Sequence, residues 1–319
     1  MTSKTALILG CTGQDGSLIC LSLLKKGYKV IGLSRSKSDI CKNHIDLGIE
    51  KDIEIRKGDI RHSQIIAQLL DEYQPGEIYN LAGQSSVGKS FIHPVKTSES
   101  IIGGTINILE VSRKLDYKGQ IFFAGSSEMF GHTEQAADID HPQKPHSPYA
   151  IGKQTSFAFV KMYREVYNLN CVTGVLFNHE SHLRSDSFVT QKIIEGAILT
   201  SRNKNNKIHL GNLNVSRDWG WAPEYVEAMQ IITQSNTLND HVICTGQLTS
   251  LTDFLTIAYK AVGLNWEDHI ETDNSLIRNS DIEKSFGNPN PLFKDHQWKA
   301  KKRIGEIIEL LIEKKSRDL

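Results

Sequence analysis

The chain has 319 residues, of which 39% are hydrophobic and 23% are charged, an ordinary balance for a globular protein. Basic and acidic residues number 37 each, so no net charge draws the molecule to nucleic acid or acidic lipid. No apolar run approaches the length of a membrane span, no secretion signal opens the sequence, and five scattered cysteines favour a reducing compartment without a metal site. We therefore expect a cytoplasmic protein that binds neither membrane, nucleic acid nor metal.

Short apolar segments rich in isoleucine and valine predict β-strands at 5–10, 29–34, 53–58, 77–82, 120–125 and 171–178. Between them, apolar residues recur at helical spacing. One such segment is "SLICLSLLKKG", where Gly27 after two lysines is typical of a helix end. Strands that alternate with helices predict an α/β fold of Rossmann type. Its doubly wound parallel sheet would be covered by helices on both faces.

After residue 178 this alternation breaks, which predicts a smaller mixed α/β region towards the C-terminus. We expect a first unit at 1–178, to which the chain returns around 213–248, and a second unit at 179–319. The segment "SRNKNNK" predicts a solvated turn, because it has basic residues but no aromatic platform for nucleic acid. The tail "RIGEIIELLIEKKSRDL" has apolar residues at helical spacing and predicts a packed terminal helix.

A glycine-rich loop, "GCTGQDG", follows the first predicted strand and opens the first predicted helix. Glycines at this spacing permit a tight turn and a close approach of the backbone to a pyrophosphate, which the helix N-terminus would attract. The alternative is a purely structural glycine turn. The loop predicts a dinucleotide site formed by Gly10, Thr12, Gly13, Gln14, Asp15 and Gly16.

The end of the second strand carries Arg35 where cofactors without a 2′-phosphate usually meet an acid. A guanidinium suits a phosphate, which favours NADP over NAD. The alternative is that Arg35 is a surface charge in an enzyme that accepts either. Asp59 and Ile60, after the third strand, are expected at the adenine edge. Leu81 and Ala82, at the end of the fourth strand, complete the predicted cofactor site.

Tyr149 and Lys153 in "SPYAIGK" are four residues apart, so a helix would place both side chains on one face. Ser147 can cap that helix and Pro148 suits its first turn. We expect the lysine to lower the pKa of the phenol towards working pH, which would make Tyr149 a proton acceptor. The spacing alone is common by chance, but here it follows a glycine-rich loop and a strand that ends in serine.

These features resemble the extended, nucleotide-sugar-modifying branch of the short-chain dehydrogenase/reductase superfamily. The resemblance narrows to the GDP-mannose 4,6-dehydratase family through seven segments that occur in the family's order over nearly the whole chain. They are "NLAGQSSVGKSFIHP", "GSSEMFG", "SPYAIGK", "LFNHES", "SFVTQKI", "LGNLNVSRDWGWAPEYVEAM" and "GNPNPLF".

The resemblance implies a hydro-lyase that converts GDP-D-mannose to GDP-4-dehydro-6-deoxy-D-mannose and water by internal hydride transfer through bound NADP. It implies NADP binding in 1–178, nucleotide-sugar binding in 179–319, and a homodimer or homotetramer. The family's catalytic group corresponds to Ser126, Glu128, Tyr149 and Lys153, with Glu128 as the base for C5. Its substrate contacts correspond to Ser85, Ser126, Asn178, Val189, Lys192, Arg217 and Arg278.

The chain departs from the family in "NHESHLRSDSFVT", where "NHESPRRGETFVT" is common, although Arg184 is kept. This change could alter the sugar that fits or the contacts between subunits. The alternatives are a related NADP-dependent GDP-sugar reductase or epimerase, a GDP-heptose 4,6-dehydratase, and a catalytically silent NADP-binding scaffold. Glu128 favours dehydration, because a reductase or epimerase does not need an acid there.

Overall fold

The computed structural model of the protein describes residues 4–35, 41–277 and 281–318. The strands are β1 Thr5–Leu9, β2 Lys29–Ser34, β3 Ile53–Lys57, β4 Glu77–Asn80, β5 Gln120–Ser126, β6 Cys171–Leu176, β7 Asn178–Glu180, β8 Ile208–Leu210, β9 Ser216–Arg217, β10 Trp219–Trp221, β11 His241–Ile243, β12 Thr249–Ser250, β13 Ile270–Thr272 and β14 Lys284–Ser285. The α-helices are α1 Gln14–Lys25, α2 Lys42–Asp46, α3 Ser63–Tyr73, α4 Val87–Ile92, α5 Pro94–Ser98, α6 Gly104–Lys114, α7 Pro148–Tyr167, α8 Val189–Arg202, α9 Ala222–Thr233, α10 Leu251–Ala261, α11 Asn290–His296 and α12 Ile304–Asp318.

The main sheet has seven strands in the order β11-β6-β5-β4-β1-β2-β3, and all of its pairings are parallel. The predicted strands are all present, with ends that differ from the expected ones by no more than two residues. The predicted doubly wound Rossmann sheet is therefore confirmed. In such sheets, ligands bind outside the carboxyl ends of the strands, where the strand order reverses. Here the reversal lies between β1 and β4.

Each face of the main sheet is covered by its own apolar core. Alternate residues of β1 point to opposite faces, so Ala6 and Ile8 belong to one core and Leu7 and Leu9 to the other. The first core is completed by α1 and α9, and the second by α3, α6 and α7. Burial on both faces explains why these strands are continuously apolar in the sequence.

The predicted mixed region towards the C-terminus is also confirmed. It contains the sheet β12-β9-β14, with one antiparallel and one parallel pairing, and the parallel pairs β13-β8 and β10-β7. Helices α8, α10 and α12 share one apolar core, in which Ile307, Ile308 and Leu311 are buried. The predicted terminal helix is thus confirmed, and the segment 201–207 is mostly exposed, as expected.

After this region begins, the chain returns to the main sheet through α9 and β11. Asp240, just before β11, accepts hydrogen bonds from Arg164 of α7 at 2.8 and 2.5 Å and from the backbone N–H of Thr173 at 2.7 Å. The division of the chain into a cofactor unit and a substrate unit stays a prediction. Across the described ranges, no helix has both the length and the apolar character needed to cross a bilayer.

Candidate active site

The glycine-rich loop is closely packed at its ends and open in its middle. Gly10 has φ +85°, and a Cβ there would lie 2.9 Å from backbone atoms of Leu81 and Ala82. Gly16 is equally tight, since its Cβ would lie 2.2 Å from the carbonyl oxygen of Gly10. Gly13, by contrast, is exposed and caps α1 without a side-chain hydrogen bond. The first N–H groups of an α-helix have no partner within the helix, so an exposed glycine at this point leaves the backbone accessible to an anion.

The same loop is held from behind by the segment that begins α2. Asn43 donates a hydrogen bond to the carbonyl oxygen of Thr12 at 3.1 Å, and His44 Nε2 lies 2.9 Å from the carbonyl oxygen of Cys11. Ser17 donates to the Cys11 carbonyl as well, at 3.1 Å. Two carbonyl oxygens of the loop are thus bonded within the protein, which leaves its amide side for a phosphate.

The residues predicted to hold the adenosine end of the cofactor differ in how exposed they are. Arg35 is exposed directly after β2. The Asp59 carboxylate accepts hydrogen bonds from Arg61, through its backbone N–H at 2.9 Å and its side chain at 3.1 and 2.8 Å. Burial raises the pKa of Asp59, but Arg61 and the charge of Arg35 outweigh this and hold it below its usual value. The Ile60 side chain is buried against Gly104, so only its backbone could meet a ligand.

A cavity of about 340 Å³ lies at the carboxyl edge of the main sheet, a volume in the range of small-molecule sites. It brings together most of the residues that the sequence singles out. They are Asp15, Leu81, Ala82, Ser85, Ser126, Glu128, Tyr149, Lys153, Asn178, Val189, Lys192 and Arg217. Arg278, also predicted to bind substrate, lies outside the described residues.

Glu128 reaches the cavity because β5 ends at Ser126 and continues as a 3₁₀ turn, Ser127–Phe130. The Ser126 hydroxyl accepts a hydrogen bond from the Glu128 backbone N–H at 3.3 Å, which caps this turn. Met129 and Phe130 are fully buried and fix the turn to the protein. The carboxylate is therefore carried by an anchored element rather than by a loose loop.

Tyr149 and Lys153 lie on α7, whose start is set by Ser147. The Ser147 hydroxyl accepts a hydrogen bond from the Ala150 N–H at 3.1 Å, and Pro148 occupies the first helical position. One turn further on, Lys153 Nζ donates a hydrogen bond to a carbonyl oxygen of β5 at 2.7 Å and lies 5.8 Å from the centre of the Tyr149 ring. The predicted pair is thus on one helix face at the cavity.

The pKa of Tyr149 is raised in this structure, where a lowered value was expected. Burial raises the pKa of Tyr149 to about 12, against the effect of a hydrogen bond with Ser126, and the charge of Glu128 adds to the rise. Burial also lowers the pKa of Lys153 to about 8, and its amine is bonded to the Ala124 carbonyl. The sequence indicates that the two residues are neighbours, but it does not show that Tyr149 is buried and Lys153 partly buried.

Of the residues predicted to bind substrate, Lys192 is exposed on α8, and Arg217 of β9 donates a hydrogen bond to the Ser216 carbonyl at 2.9 Å. The next residue, Asp218, is fully buried and accepts hydrogen bonds from Thr245, through the backbone at 2.9 Å and the hydroxyl at 2.6 Å. Burial raises the pKa of Asp218 to about 6. Asp218 thereby fixes the strand that carries Arg217.

Among the cavity residues that the sequence did not single out are His179 and Arg184. Arg184 donates a hydrogen bond to the His179 carbonyl at 3.1 Å, pairs with Glu180 at 3.4 Å and stacks over Phe188 at 3.9 Å. Their only signal in the sequence is the family segment "NHESHLR". The contact of His179 with Asp15 joins positions 164 residues apart, which no local pattern predicts.

The match to known proteins agrees with this site. A family model described as "GDP-mannose 4,6 dehydratase" matches residues 7–311.

The chain belongs to the GDP-mannose 4,6-dehydratase family.

Two members show how closely it follows that family. "GDP-mannose 4,6 dehydratase 1" of Arabidopsis thaliana is 36% identical over 321 residues, which cover 97% of this chain and 89% of the relative. "GDP-mannose 4,6-dehydratase" of Sinorhizobium fredii is 38% identical over 273 residues, 83% of this chain and 78% of the relative. The predicted family is therefore confirmed.

Solved structures of more distant proteins show the same fold. A UDP-glucose 4-epimerase from Thermotoga maritima superposes with a TM-score of 0.87 at 19% identity, covering 98% of this chain and 99% of the epimerase. A dTDP-glucose 4,6-dehydratase from Bacillus anthracis gives a TM-score of 0.85 at 15% identity, with 99% and 97% covered.

Proposed function

We propose that this member of the family is an NADP-dependent GDP-mannose 4,6-dehydratase, a hydro-lyase that converts GDP-D-mannose to GDP-4-dehydro-6-deoxy-D-mannose and water. The observation that carries the proposal is the position of Glu128, which lies in the same cavity as Ser126, Tyr149 and Lys153. A redox step at C4 of a sugar needs only the last three. A carboxylate beside them suits the removal of a proton from the neighbouring carbon.

A nicotinamide dinucleotide fits the open amide side of the glycine-rich loop. When bound, it would supply the acceptor for a hydride from C4 and the donor of that hydride to C6. We infer that the first turn of α1 holds the pyrophosphate and that Lys153 binds the nicotinamide ribose. NADP is favoured over NAD by Arg35, which follows β2 without an adjacent acid. Titration of the protein with both dinucleotides tests this preference.

The protein's own groups would move the protons. Tyr149, as a phenolate stabilised by the Ser126 hydroxyl and the Lys153 ammonium, would accept the proton of the C4 hydroxyl and become a phenol. Once C4 is a ketone, C5–H is acidic, and Glu128 would take its proton. The Glu128 carboxylic acid would then protonate the C6 hydroxyl as it leaves as water. C5 regains a proton in place of the one taken from O4, so the cycle consumes no net proton. The hydride returns to the sugar, so no cofactor is consumed.

The nucleotide sugar would be held by cations and amides on the far side of the cavity. Lys192 and Arg217 suit its diphosphate or ribose, because both present positive charge to the cavity. Ser85, Asn178 and Val189 line the same cavity. Arg278 is proposed as a further contact on the family resemblance alone.

We also infer that the protein is a homo-oligomer, either dimer or tetramer. Helices α4 and α5 present Phe91, Ile92 and Val95 to solvent with exposures of 47, 71 and 68%. Ile151, on the adjoining helix α7, is 49% exposed. A second copy of this chain would cover these side chains, and sedimentation would measure the resulting mass. A cytoplasmic location also stays a prediction.

The test is to incubate the purified protein with GDP-mannose and follow the sugar by mass spectrometry. We expect loss of one water without net consumption of cofactor. Glu128→Gln should still oxidise C4, so that absorbance of bound NADPH accumulates, but should form no dehydrated product. Tyr149→Phe should block both steps. Glu134→Gln removes a carboxylate that is 75% exposed outside the cavity, and it should behave as wild type.

Two results would contradict the proposal. An unimpaired Glu128→Gln enzyme would remove the C5 base. A wild-type protein that consumes NADPH stoichiometrically, or inverts a carbon without losing water, would instead be a reductase or an epimerase.

A further inference from the structure

The glycine-rich loop contains a carboxylate, that of Asp15, at a point where it would repel a bound phosphate. Asp15 lies in the first turn of α1, the helix whose uncapped N-terminus is proposed to hold a pyrophosphate. A carboxylate stabilises a helix start, but it also repels an anionic ligand that approaches the same amides. The repulsion matters unless another group balances the charge.

That group is His179 of β7. Its Nε2 lies 3.0 Å from each of the two carboxylate oxygens of Asp15. The imidazole is 6% exposed and stacks on Tyr225 of α9, with ring centres 4.7 Å apart. Gln14 donates a second hydrogen bond to Asp15 at 3.0 Å, and Ser181 donates to Gln14 at 2.9 Å. The start of α1 and the strand β7 are therefore joined by a buried polar network.

The contacts of the ring fix its protonation state. His179 Nδ1 lies 2.7 Å from the Phe177 carbonyl oxygen, which can only accept a hydrogen bond. Its Nε2 faces a carboxylate, which also accepts when ionised. Both ring nitrogens must therefore donate, so the pair is an imidazolium with a carboxylate. Although burial lowers the pKa of His179, the charge and hydrogen bonds of Asp15 outweigh it and raise the pKa above the usual value.

Other charged or titratable groups act on the pair from neighbouring elements. The Arg184 guanidinium opposes the imidazolium, and Lys153 and Tyr149 of α7 feel the charge of Asp15. Glu180 pairs with Arg184 at 3.4 Å, which moderates that opposition. The charge of Asp15 raises the pKa of Tyr149, so its neutralisation matters at the catalytic pair as well.

We propose that His179 is a positioning residue whose imidazolium neutralises Asp15, so that the N-terminus of α1 can bind the pyrophosphate of the dinucleotide. The inference rests on the proposed nicotinamide cofactor but concerns a residue outside the catalytic group. It also links the cofactor loop to β7, the strand that carries Asn178 towards the substrate.

The test measures the dissociation constant of NADP⁺ for the full-length protein by calorimetry, without turnover. His179→Gln keeps a hydrogen-bonding side chain but no charge, and it should weaken binding on the order of tenfold. Adding Asp15→Asn in the same chain removes the uncompensated carboxylate and should restore most of the affinity. His241→Gln is the matched control, because His241 is 3% exposed and lies 3.5 Å from Asp295 at the far edge of the main sheet. It should bind NADP⁺ as wild type.

The pH dependence of binding separates charge from mere packing. In the wild type, affinity should fall as pH rises through the raised pKa of His179, because the imidazolium is lost. The 2′-phosphate of NADP⁺ contributes the same pH dependence to the binding of every variant. The pH dependence of the double variant should therefore lack only the contribution of His179. This comparison of wild type with the double variant stays valid even if the single variant His179→Gln does not fold. Circular dichroism would check the folding of each variant.

Equal pH profiles for wild type and double variant, or a double variant as weak as His179→Gln, would overturn the role of His179 and leave the proposed function intact. A wild-type protein that binds neither NADP⁺ nor NAD⁺ would overturn both.

Discussion

Replacement of Lys153 by methionine should make the protein more stable while it destroys activity. Burial lowers the pKa of Lys153 from 10.5 to about 8, so the folded protein holds an unfavourable ammonium at neutral pH. The gap between these values corresponds to about 3 kcal/mol at ~1.36 kcal/mol per pKa unit. The lost hydrogen bond to Ala124 offsets about 1 kcal/mol of this. We therefore expect Lys153→Met to raise the free energy of unfolding by about 2 kcal/mol at pH 7.

The sign of the pH dependence follows from the lowered pKa. Between pH 8 and 10.5 the unfolded chain holds the Lys153 proton that the folded protein has released, so wild-type stability rises with pH in this window. Below pH 8 the penalty is fully present. The advantage of Lys153→Met should therefore be largest at pH 7 and should shrink by about 1 kcal/mol at pH 9.

Urea unfolding of both proteins at pH 7 and pH 9 measures these differences. Lys161→Met is the matched control, because Lys161 lies on the same helix but is 55% exposed. Its effect should stay within about 0.5 kcal/mol at either pH. A Lys153→Met protein that is less stable than wild type at pH 7, or a difference that does not change with pH, would refute the reasoning.

Three further substitutions test the framework that carries the site. Gly10→Ala should cost about 2 to 4 kcal/mol, because its φ of +85° and its 2.9 Å approach to backbone leave no room for a Cβ. Gly13→Ala, at φ −74°, should cost less than about 1 kcal/mol, and similar losses of thermal stability for the two variants would contradict this explanation. Arg164→Met should cost about 3 kcal/mol in urea unfolding, because it leaves the carboxylate of Asp240, 6% exposed, without its cation. A loss below about 1 kcal/mol would show that the ion pair contributes little.

The parallel sheet could be predicted from the sequence because the signals of its strands are local, whereas the order of the strands was not predicted. Strands buried on both faces are continuously apolar, and Gly27, which ends α1 at φ +79°, marks a helix boundary by itself. The approach of Ser126, Glu128 and Tyr149 to one cavity also follows, since parallel strands bring their carboxyl ends to one edge of the sheet. The segments that resemble the family point to the same positions.

The properties that depend on distant contacts and on burial could not be predicted in this way. The hydrogen bonds between Asp15 and His179 depend on how two remote segments pack, and neither segment alone suggests them. The pKa of Tyr149 is raised where a lowered value was expected, because spacing on a helix shows nearness and not desolvation. The hydrogen bonds from Arg61 to the Asp59 carboxylate were likewise not predicted, and the place of Asp59 at the adenine edge stays a prediction.

The edge position of β11 has a consequence for how this protein can be divided. A fragment that stopped at residue 178 would leave β6 without the neighbour that pairs with its residues Gly174, Val175 and Leu176. That bare edge is apolar and would invite pairing with another fragment. An intact main sheet therefore requires the chain through Ile243, well beyond the point where the strand and helix alternation of the sequence ends.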